Sequence, residues 1–224
     1  MNIIIQARLS SKRLPSKVLF KIKNKHILDY LLDRLEFSSF NNKIFIATSN
    51  EKSDDLIEDY CKKRKVTCFR GDLNNVSKRF YDLINYYSLK SFMRLCADSP
   101  LIDPKIVDKG ISIFNKKNND LVTNKFPRSY PIGQTIEIIN AQKYLDTINL
   151  VKTKSEKENV TEHFYKNSNL FNIKNFKIRK NLSLQSLAID NKNNLIKFKS
   201  FVDKNNCKIN KISYQSIIKQ YDNF

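Results

Sequence analysis

The chain has 224 residues, of which 41% are hydrophobic, which is enough to bury a sizeable core and argues against a disordered protein. Its formal net charge of +19 would suit a polyanion-binding protein, but nucleotide-composition bias also produces the observed excess of lysine and asparagine over arginine and glycine. The cysteines form no CxxC pair, and no apolar run reaches the roughly 18 residues of a membrane span. We therefore expect a cytoplasmic protein that binds neither a membrane nor a specific nucleic acid.

Apolar runs alternate with helical patterns through the first half of the chain, which predicts a parallel sheet covered by helices. In chain order we expect a strand at 2–6, a helix at 26–37, a strand at 43–48, a helix at 53–65, a strand at 66–69, a turn at 70–75, a helix at 76–88 and a strand at 91–97. Another helix is predicted from Pro104 with Asp103 as its cap, because proline lacks the N–H that is unpaired at a first helical position.

The pattern changes beyond residue 120. Strands are predicted at 120–124, 134–139 and 184–189, helices at 141–151 and 155–167, and a C-terminal helix within 209–221. We expect one domain over residues 1–224, in which the segment at about 125–180 is an excursion from the main sheet that covers the site or makes a dimer contact.

Three loops follow predicted strands, at residues 7–17, 70–79 and 98–104, and should lie at the sheet edge where α/β proteins bind ligands. The first, the basic loop, offers hydroxyls and cations suited to a triphosphate, namely Arg8, Ser10, Ser11, Lys12, Arg13 and Lys17. It is not a P-loop, because GxxxxGK[ST] is absent. We expect Arg13 and Lys17 to be exposed and to add little to stability. A solvated basic surface loop is the alternative interpretation.

Two aspartates follow apolar, strand-like runs: Asp98 follows RLCA, and Asp190 follows SLAI. A carboxylate at the end of a buried strand is costly without a cation or hydrogen-bond donors. Parallel neighbouring strands would bring both to one edge of the sheet, where two carboxylates and a phosphate match the ligands that Mg²⁺ prefers. The alternative for Asp190 is the cap of a helix that starts near Asn191.

Seven spans of the sequence resemble a known enzyme family in their order and spacing. They are IIIQARLSSKRLPSKVL, IFIATSN, FRGDLNNVSKRFYD, RLCADSPLIDP, PIGQTIEII, KENVTEHFY and SLAIDNKNNL. The chain is similar to the cytidylyltransferases typified by the spore-coat polysaccharide protein family, which are relatives of the CMP-Kdo and acylneuraminate cytidylyltransferases. The resemblance runs from residue 2 to about residue 198.

The resemblance implies an α/β, Rossmann-like nucleotidyltransferase (GT-A-like) fold of three layers with a mixed, mostly parallel sheet. It also implies a magnesium-dependent homodimer that joins CTP to a small-molecule acceptor and releases pyrophosphate. On matching positions it assigns nucleotide binding to Ala7, Arg8, Leu9, Ser10, Ser11, Lys12, Arg13, Lys17, Arg70, Asn75 and Arg79, and catalysis to Arg8, Arg13, Lys17 and Asp98. It assigns acceptor binding to Gln134, Glu137, Glu158 and Thr161, and magnesium to Asp98 and Asp190.

The sequence departs from the family pattern in the basic loop and in the acceptor region. The departures are Ser10 and Ser16 in place of glycine, Lys157, Glu158 and Asn159 in place of an Arg-Glu-His run, and Ile132 and Thr135 in place of acidic residues. They predict an unusual acceptor pocket.

The preferred acceptor is an acidic sugar, such as a nonulosonic or Kdo-like acid, used in surface-glycan precursor synthesis. A phosphorylated or phosphonate molecule is the second choice. A nucleotide-sugar-dependent glycosyltransferase is a further alternative, but it predicts a DxD motif where the chain reads Asp98, Ser99, Pro100. A non-enzymatic polyanion-binding protein is the last alternative, and it explains neither the basic loop nor the two aspartates.

Overall fold

The computed structural model describes residues 1–11, 13–116 and 118–221, with the backbone alone at 206–208. Within these ranges the strands are β1 (Asn2–Gln6), β2 (Lys21–Ile22), β3 (Lys25–His26), β4 (Lys43–Ser49), β5 (Thr67–Gly71), β6 (Ser91–Cys96), β7 (Leu121–Thr123), β8 (Glu137–Asn140) and β9 (Ile173–Asn175). The α-helices there are α1 (Ile27–Leu35), α2 (Asp55–Arg64), α3 (Val76–Tyr86), α4 (Pro104–Lys116), α5 (Ala141–Thr147), α6 (Lys154–Glu158), α7 (Glu162–Lys166), α8 (Lys192–Asn205) and α9 (Tyr214–Tyr221).

In the described part of the chain, seven strands form a mixed, mostly parallel sheet in the order β5-β4-β1-β6-β8-β7-β9. Strand β1 is parallel to β4 and β6, and β4 is parallel to β5, whereas β8 is antiparallel to β6 and β7. The register pairs Gln6 with Ala47 on one side and with Cys96 on the other. These parallel strands therefore end together, and the loops that follow them meet at one edge of the sheet.

Helices cover both faces of the sheet, and the side chains of β1 show how the layers are separated. Ile3 and Ile5 are fully buried in the core that α1, α2, α4, α8 and α9 share, whereas Ile4 is fully buried in the core that α3, α5 and α7 share. Successive side chains of a strand point to opposite faces, so a run of isoleucines joins two cores. The predicted three-layer α/β fold is confirmed.

The strand predicted at 184–189 is wrong. These residues form an irregular extended segment that bonds to two different loops: Leu187 N donates to the Ile132 carbonyl and Ile189 N donates to the Asp98 carbonyl, both at 2.8 Å. Each loop offers one or two carbonyls rather than the edge of a strand, so the segment does not form the repeated backbone hydrogen bonds of a β-ladder. The apolar character of the run reflects burial of Leu187 and Ile189 in the core.

The single helix predicted over 155–167 is also wrong, because α6 and α7 are separate helices. Thr153 begins α6 with a capping box to Glu156, and the helix ends at Asn159, whose backbone is extended. Val160 is 2% exposed, and the hydroxyl of Thr161 donates to Glu137 at 2.7 Å. These tertiary contacts fix a break that helix propensity alone does not predict.

The segment at about 125–180, which was expected to leave the main sheet, contributes strands to it. Strand β8 lies between β6 and β7, and β9 pairs with β7 at the end of the sheet. The β2–β3 hairpin, whose strands have two residues each, and β9, which has one apolar residue, were not predicted, because neither shows a measurable hydrophobic pattern. None of the helices in the described ranges is long and apolar enough to cross a membrane.

Candidate active site

Backbone bonds and one buried carboxylate fix the start of the basic loop. Ala7 N donates to the Ala47 carbonyl at 3.1 Å, and Leu9 N donates to Asp54 Oδ1 at 2.8 Å. Asp54 is fully buried and also accepts from the hydroxyl of Thr48 at 3.0 Å. Asp54 therefore anchors the basic loop to the end of β4. This role of Asp54 was not predicted from the sequence, since an acidic residue at the start of a helix is also expected from the helix dipole.

Lys17 joins the two aspartates predicted at strand ends. Its ammonium donates to Asp98 Oδ2 at 3.0 Å, to Asp190 Oδ1 at 3.3 Å and to the Ile189 carbonyl at 2.7 Å. Arg13 Nη2 also donates to Asp190 Oδ1 at 3.0 Å. Asp98 and Asp190 thus lie together, although an irregular segment rather than a second strand delivers Asp190.

The expectation that both cations are exposed is correct for Arg13 and wrong for Lys17. The side chain of Arg13 is 70% exposed, whereas that of Lys17 is 9% exposed. Ser16, just before Lys17, has a left-handed backbone with φ 58°, a conformation that favours glycine. Serine adopts it here, so this departure from the family pattern leaves the turn into Lys17 intact.

Three adjoining cavities follow the sheet edge. The loop cavity, about 640 Å³, is lined by Arg8, Ser10, Ser11, Arg13, Leu73, Asn74, Lys154 and Glu158. The central cavity, about 160 Å³, is lined by Gln6, Ala7, Arg8, Ser11, Arg13, Lys17, Val18, Cys96, Ala97, Asp98 and Asp190. The far cavity, about 200 Å³, is lined by Arg94, Leu95, Cys96, Asp98, Ser99, Lys125, Arg128, Ile132, Gly133, Thr135, Glu137, Asn159, Ala188 and Asp190.

Shared residues make these cavities one groove. Arg8 and Arg13 line both the loop and central cavities, and Asp98 and Asp190 line both the central and far cavities. The loop cavity has the size of a typical small-ligand pocket. The groove therefore has basic groups at one end, the aspartates at its centre and a second chamber beyond them.

Arg8 and Glu158 face each other across the loop cavity. Arg8 Nη2 lies 3.1 Å from Glu158 Oε1, and the Glu158 side chain is 49% exposed. Glu158 was assigned to the acceptor, but the structure places it beside the basic loop and Asn74 instead. An anion in the loop cavity would compete with Glu158 for Arg8.

Glu137 is the centre of a buried network in the wall of the far cavity. Its carboxylate accepts from Arg94 Nη1 at 2.6 Å, Tyr165 Oη at 2.6 Å and Thr161 Oγ1 at 2.7 Å, and lies 3.5 Å from Lys125 Nζ. Burial raises the pKa of this carboxyl, but the two cations and two hydroxyls lower it, and the result is a pKa of about 2. Glu137 and Thr161 are therefore brought together, in a network that positions Arg94 and Lys125.

Gln134 is not brought into the groove. It is fully buried, its side-chain oxygen accepts from Asp103 N at 2.8 Å, and its Nε2 donates to the Leu101 carbonyl at 2.6 Å. Both ends of the amide are thus occupied. Gln134 fixes the loop that follows β6.

Arg70 and Asn75, both assigned to the nucleotide, serve other elements and line none of the three cavities. Arg70 Nη1 pairs with Asp55 at 2.6 Å and with Glu58 at 2.8 Å, which ties β5 to α2. Asn75 caps α3 by accepting from Lys78 N at 2.9 Å. Lys12, also assigned to the nucleotide, lies outside the described residues.

Arg79 lies beneath the groove rather than in it. It is fully buried and donates to the Asp72 carbonyl and to the Ala47 carbonyl, both at 3.2 Å. Burial lowers the pKa of its guanidinium to about 10. Since Ala47 also accepts from Ala7, Arg79 links the loop after β5 to the start of the basic loop.

The carboxylates at the centre of the groove suit a hard divalent cation. Asp98 and Asp190 both lie within hydrogen-bond distance of one ammonium nitrogen, and a second Asp98 oxygen has a single weak contact, with Ser99 Oγ at 3.3 Å. No group of three or more His, Cys, Asp or Glu side chains suited to a metal occurs among the described residues. One or two carboxylates completed by phosphate and water are the usual Mg²⁺ ligands, so the donor set fits.

A family model of cytidylyltransferases matches residues 2–222. The chain belongs to the cytidylyltransferase family. It is 35% identical over 170 residues to an uncharacterised protein of Methanocaldococcus jannaschii, covering 76% of this chain and 69% of that one. It is 34% identical over 147 residues to the spore coat polysaccharide biosynthesis protein SpsF of Bacillus subtilis, covering 64% of this chain and 60% of SpsF.

Among the solved structures, a cytidylyltransferase from Leptospira borgpetersenii superposes with a TM-score of 0.92 at 29% identity, covering 99% of this chain and 93% of that one. CMP:2-keto-3-deoxy-manno-octonic acid synthetase, solved with CTP, gives a TM-score of 0.67 at 15% identity, covering 90% and 98%, a likeness of fold alone. The predicted Rossmann-like nucleotidyltransferase fold and enzyme class are confirmed, and family membership does not support the glycosyltransferase or polyanion-binding alternatives.

Proposed function

We propose that this cytidylyltransferase transfers CMP from CTP to an acidic sugar and releases pyrophosphate, as a step in surface-glycan precursor synthesis. The observation that carries the proposal is the continuous groove, in which basic groups and two aspartates separate a nucleotide-sized cavity from a second chamber that contains Arg94, Lys125 and Arg128. The names of two relatives support it: SpsF, and an 8-amino-3,8-dideoxy-manno-octulosonate cytidylyltransferase of Shewanella sp. strain ANA-3, which is 29% identical over 52% of this chain and 48% of its own.

The basic loop supplies the phosphate-binding groups. Arg8 and Arg13 line both the loop and central cavities, and Ser10 and Ser11 add hydroxyl and backbone donors. Phosphoryl-type transfer depends mainly on positioning and on stabilising charge, so fixed cations next to the triphosphate lower the barrier. The acceptor oxygen forms its bond to the α-phosphorus while the bond to the pyrophosphate oxygen breaks.

Asp98 and Asp190 would hold a magnesium ion, with Lys17 as the neighbouring cation. A bound Mg²⁺ supplies charge withdrawal from the α-phosphate and orients it for attack. Lys17 keeps the two carboxylates together, because its ammonium contacts both. The irregular segment at 184–189 keeps Asp190 in place through the bond from Ile189 N to Asp98.

The test is pyrophosphate release with each of the four NTPs against a panel of acidic sugars and of phosphorylated and phosphonate acceptors, with magnesium. Release with CTP and an acidic sugar is expected, together with a larger rise in melting temperature for CTP than for UTP or ATP. Pyrophosphate release with phosphorylated or phosphonate acceptors alone would show that the acceptor is such a molecule rather than an acidic sugar. No release with any CTP and acceptor pair would refute the proposal. We further propose a cytoplasmic homodimer, and light scattering that gives the mass of a monomer would contradict the dimer.

A further inference from the structure

The far cavity contains an arginine that forms no ion pair within the described part of the chain. Arg128 Nη1 donates to the hydroxyl of Thr135 at 2.8 Å, and this neutral oxygen is the partner that the structure gives its side chain. The residue is only partly exposed, and burial lowers the pKa of its guanidinium. Glu137 acts on this guanidinium electrostatically but lies beyond ion-pair distance. A half-buried cation without a close counter-charge is costly, so an anion in the far cavity would be stabilised there.

Lys125 lies beside Arg128 in the same cavity. The two residues form an antiparallel bridge, so their side chains share one side of the turn, and both line the far cavity with Asp98 and Asp190. Lys125 Nζ is 3.5 Å from Glu137 and 5.3 Å from the centre of the Tyr165 ring. It is therefore a second cation facing the chamber.

The carboxylate of Glu137 does not neutralise both cations. Its shorter contacts go to Arg94, Thr161 and Tyr165, at 2.6–2.7 Å, and with Arg94 it forms a buried ion pair. Within the described part of the chain no ion pair reaches Arg128. The cavity is lined by three cations, Arg94, Lys125 and Arg128, and by three carboxylates, Asp98, Glu137 and Asp190. Asp98 and Asp190 already contact Lys17, and Glu137 contacts Arg94 and Lys125, so among the described residues Arg128 is the lining cation that no carboxylate pairs with.

Comparison with Arg34 argues against a purely structural role for Arg128. Arg34 is fully buried and donates to the carbonyls of Ile102, Ile209 and Ile212, so each of its three guanidinium nitrogens has an acceptor and the C-terminal segment is tied to the fold. Arg128 makes one side-chain bond and keeps its remaining donors toward a chamber. A guanidinium presents several N–H donors in a planar fork that matches carboxylate and phosphate oxygens.

We propose that Arg128, with Lys125 beside it, binds the anionic group of the acceptor and thereby selects acidic over neutral acceptors. The ligand chemistry is an anionic oxygen group, supplied by a carboxylate or by a phosphate or phosphonate. Thr135 is a positioning residue, because its hydroxyl orients the guanidinium. This inference rests on the proposed function of the groove. It places the acceptor's anion away from the triphosphate, since Arg128 lines neither the loop cavity nor the central cavity.

The test is isothermal titration calorimetry of the full chain with two matched pairs of probes. These are 3-deoxy-D-manno-octulosonate with its uncharged methyl ester, and mannose 6-phosphate with mannose. Arg128→Gln is expected to weaken binding of the preferred charged probe about 10- to 100-fold, the effect of losing charge-assisted hydrogen bonds, and Arg128→Lys to restore part of it. Arg179→Gln, an exposed arginine outside the cavity, is the matched control and should bind like wild type. The probe pair with the larger difference in affinity between its charged and neutral members shows whether the site prefers a carboxylate or a phosphate.

Thr135→Val provides a second variant if Arg128→Gln does not fold, and it should weaken the same charged probe by a smaller factor. Equal binding of charged and neutral probes, no binding of either charged probe to wild type, or full affinity in the Arg128 variants would overturn the inference. The CTP-induced rise in melting temperature separates the two proposals. Its absence from wild type, with Arg128-dependent anion binding intact, would contradict the proposed function alone. Its presence, with anion binding independent of Arg128, would contradict the inference alone.

Discussion

Replacing Glu137 by glutamine keeps the shape of the side chain and removes the charge at the centre of the buried network. Glu137 is 1% exposed, and the side chain of its partner Arg94 is 11% exposed. Breaking a buried ion pair leaves the remaining charge without a partner, which costs about 3–5 kcal/mol. We expect Glu137→Gln to lower the free energy of unfolding by this amount, measured by urea denaturation at neutral pH. Glu162→Gln, which removes the charge from a partly exposed pair with Lys166, is the matched control and should change stability much less.

The pH dependence gives this prediction a second, independent readout. The pKa of Glu137 is lowered from 4.5 to about 2 in the folded protein, so the stability that its charge contributes is complete above pH 4.5. It is lost as the pH falls from 4.5 toward 2, because over that range the unfolded state binds a proton that the folded state does not. The stability difference between wild type and Glu137→Gln should therefore close over that range. A difference that stays constant down to pH 2, or one no larger than that of Glu162→Gln, would refute the reasoning.

Three further predictions concern the groove. Lys17→Met should lower the free energy of unfolding by about 1–2 kcal/mol, because it removes a buried cation from two partly exposed carboxylates, whereas Arg13→Met should leave urea denaturation nearly unchanged. Both variants should weaken CTP binding in calorimetry. An unchanged CTP affinity would exclude these residues from the nucleotide site. Ser16→Gly should raise the melting temperature, since relief of a left-handed backbone is worth about 1 kcal/mol, and a lower melting temperature would show that serine contributes more than its backbone costs. Glu158→Gln should tighten CTP binding by freeing Arg8 from its ion pair, and weaker CTP binding would show instead that Glu158 contacts the nucleotide directly.

The order of strands and loops was predictable from the sequence, and so was the basic end of the groove. The isoleucines at 3–5 predicted β1, and the cations that follow them predicted the basic loop. The aspartate after RLCA was expected beside this loop, because parallel strands place the loops that follow them at one edge of the sheet. Asp190 was placed beside Asp98 for an incorrect reason. The apolar run before it packs into the core and bonds to loops, and nothing in a period-2 pattern distinguishes such a segment from a strand.

The roles of Gln134, Glu137 and Arg128 could not be predicted from the sequence. Each depends on which long-range partner the side chain meets: Gln134 meets the loop after β6, Glu137 meets Arg94 on the neighbouring strand, and Arg128 meets a neutral hydroxyl. Burial and pairing decide whether a polar side chain is structural or available to a ligand. The sequence signal for Arg128 was a cation between two prolines in the acceptor region. It indicates a cation without an acidic partner only when combined with Thr135, which stands where the family has an acidic residue.

The most direct test of CMP transfer follows the α-phosphorus itself. CTP labelled at the α-phosphate is incubated with magnesium, the acidic-sugar panel and either wild type or Asp98→Asn, and the products are separated by anion-exchange chromatography. Wild type should move the label into a new CMP-sugar conjugate, and Asp98→Asn, which removes a carboxylate that contacts Lys17 at the centre of the groove, should form almost none while keeping its fold. Label that stays in CTP, or appears only as free CMP with every acceptor, would contradict CMP transfer.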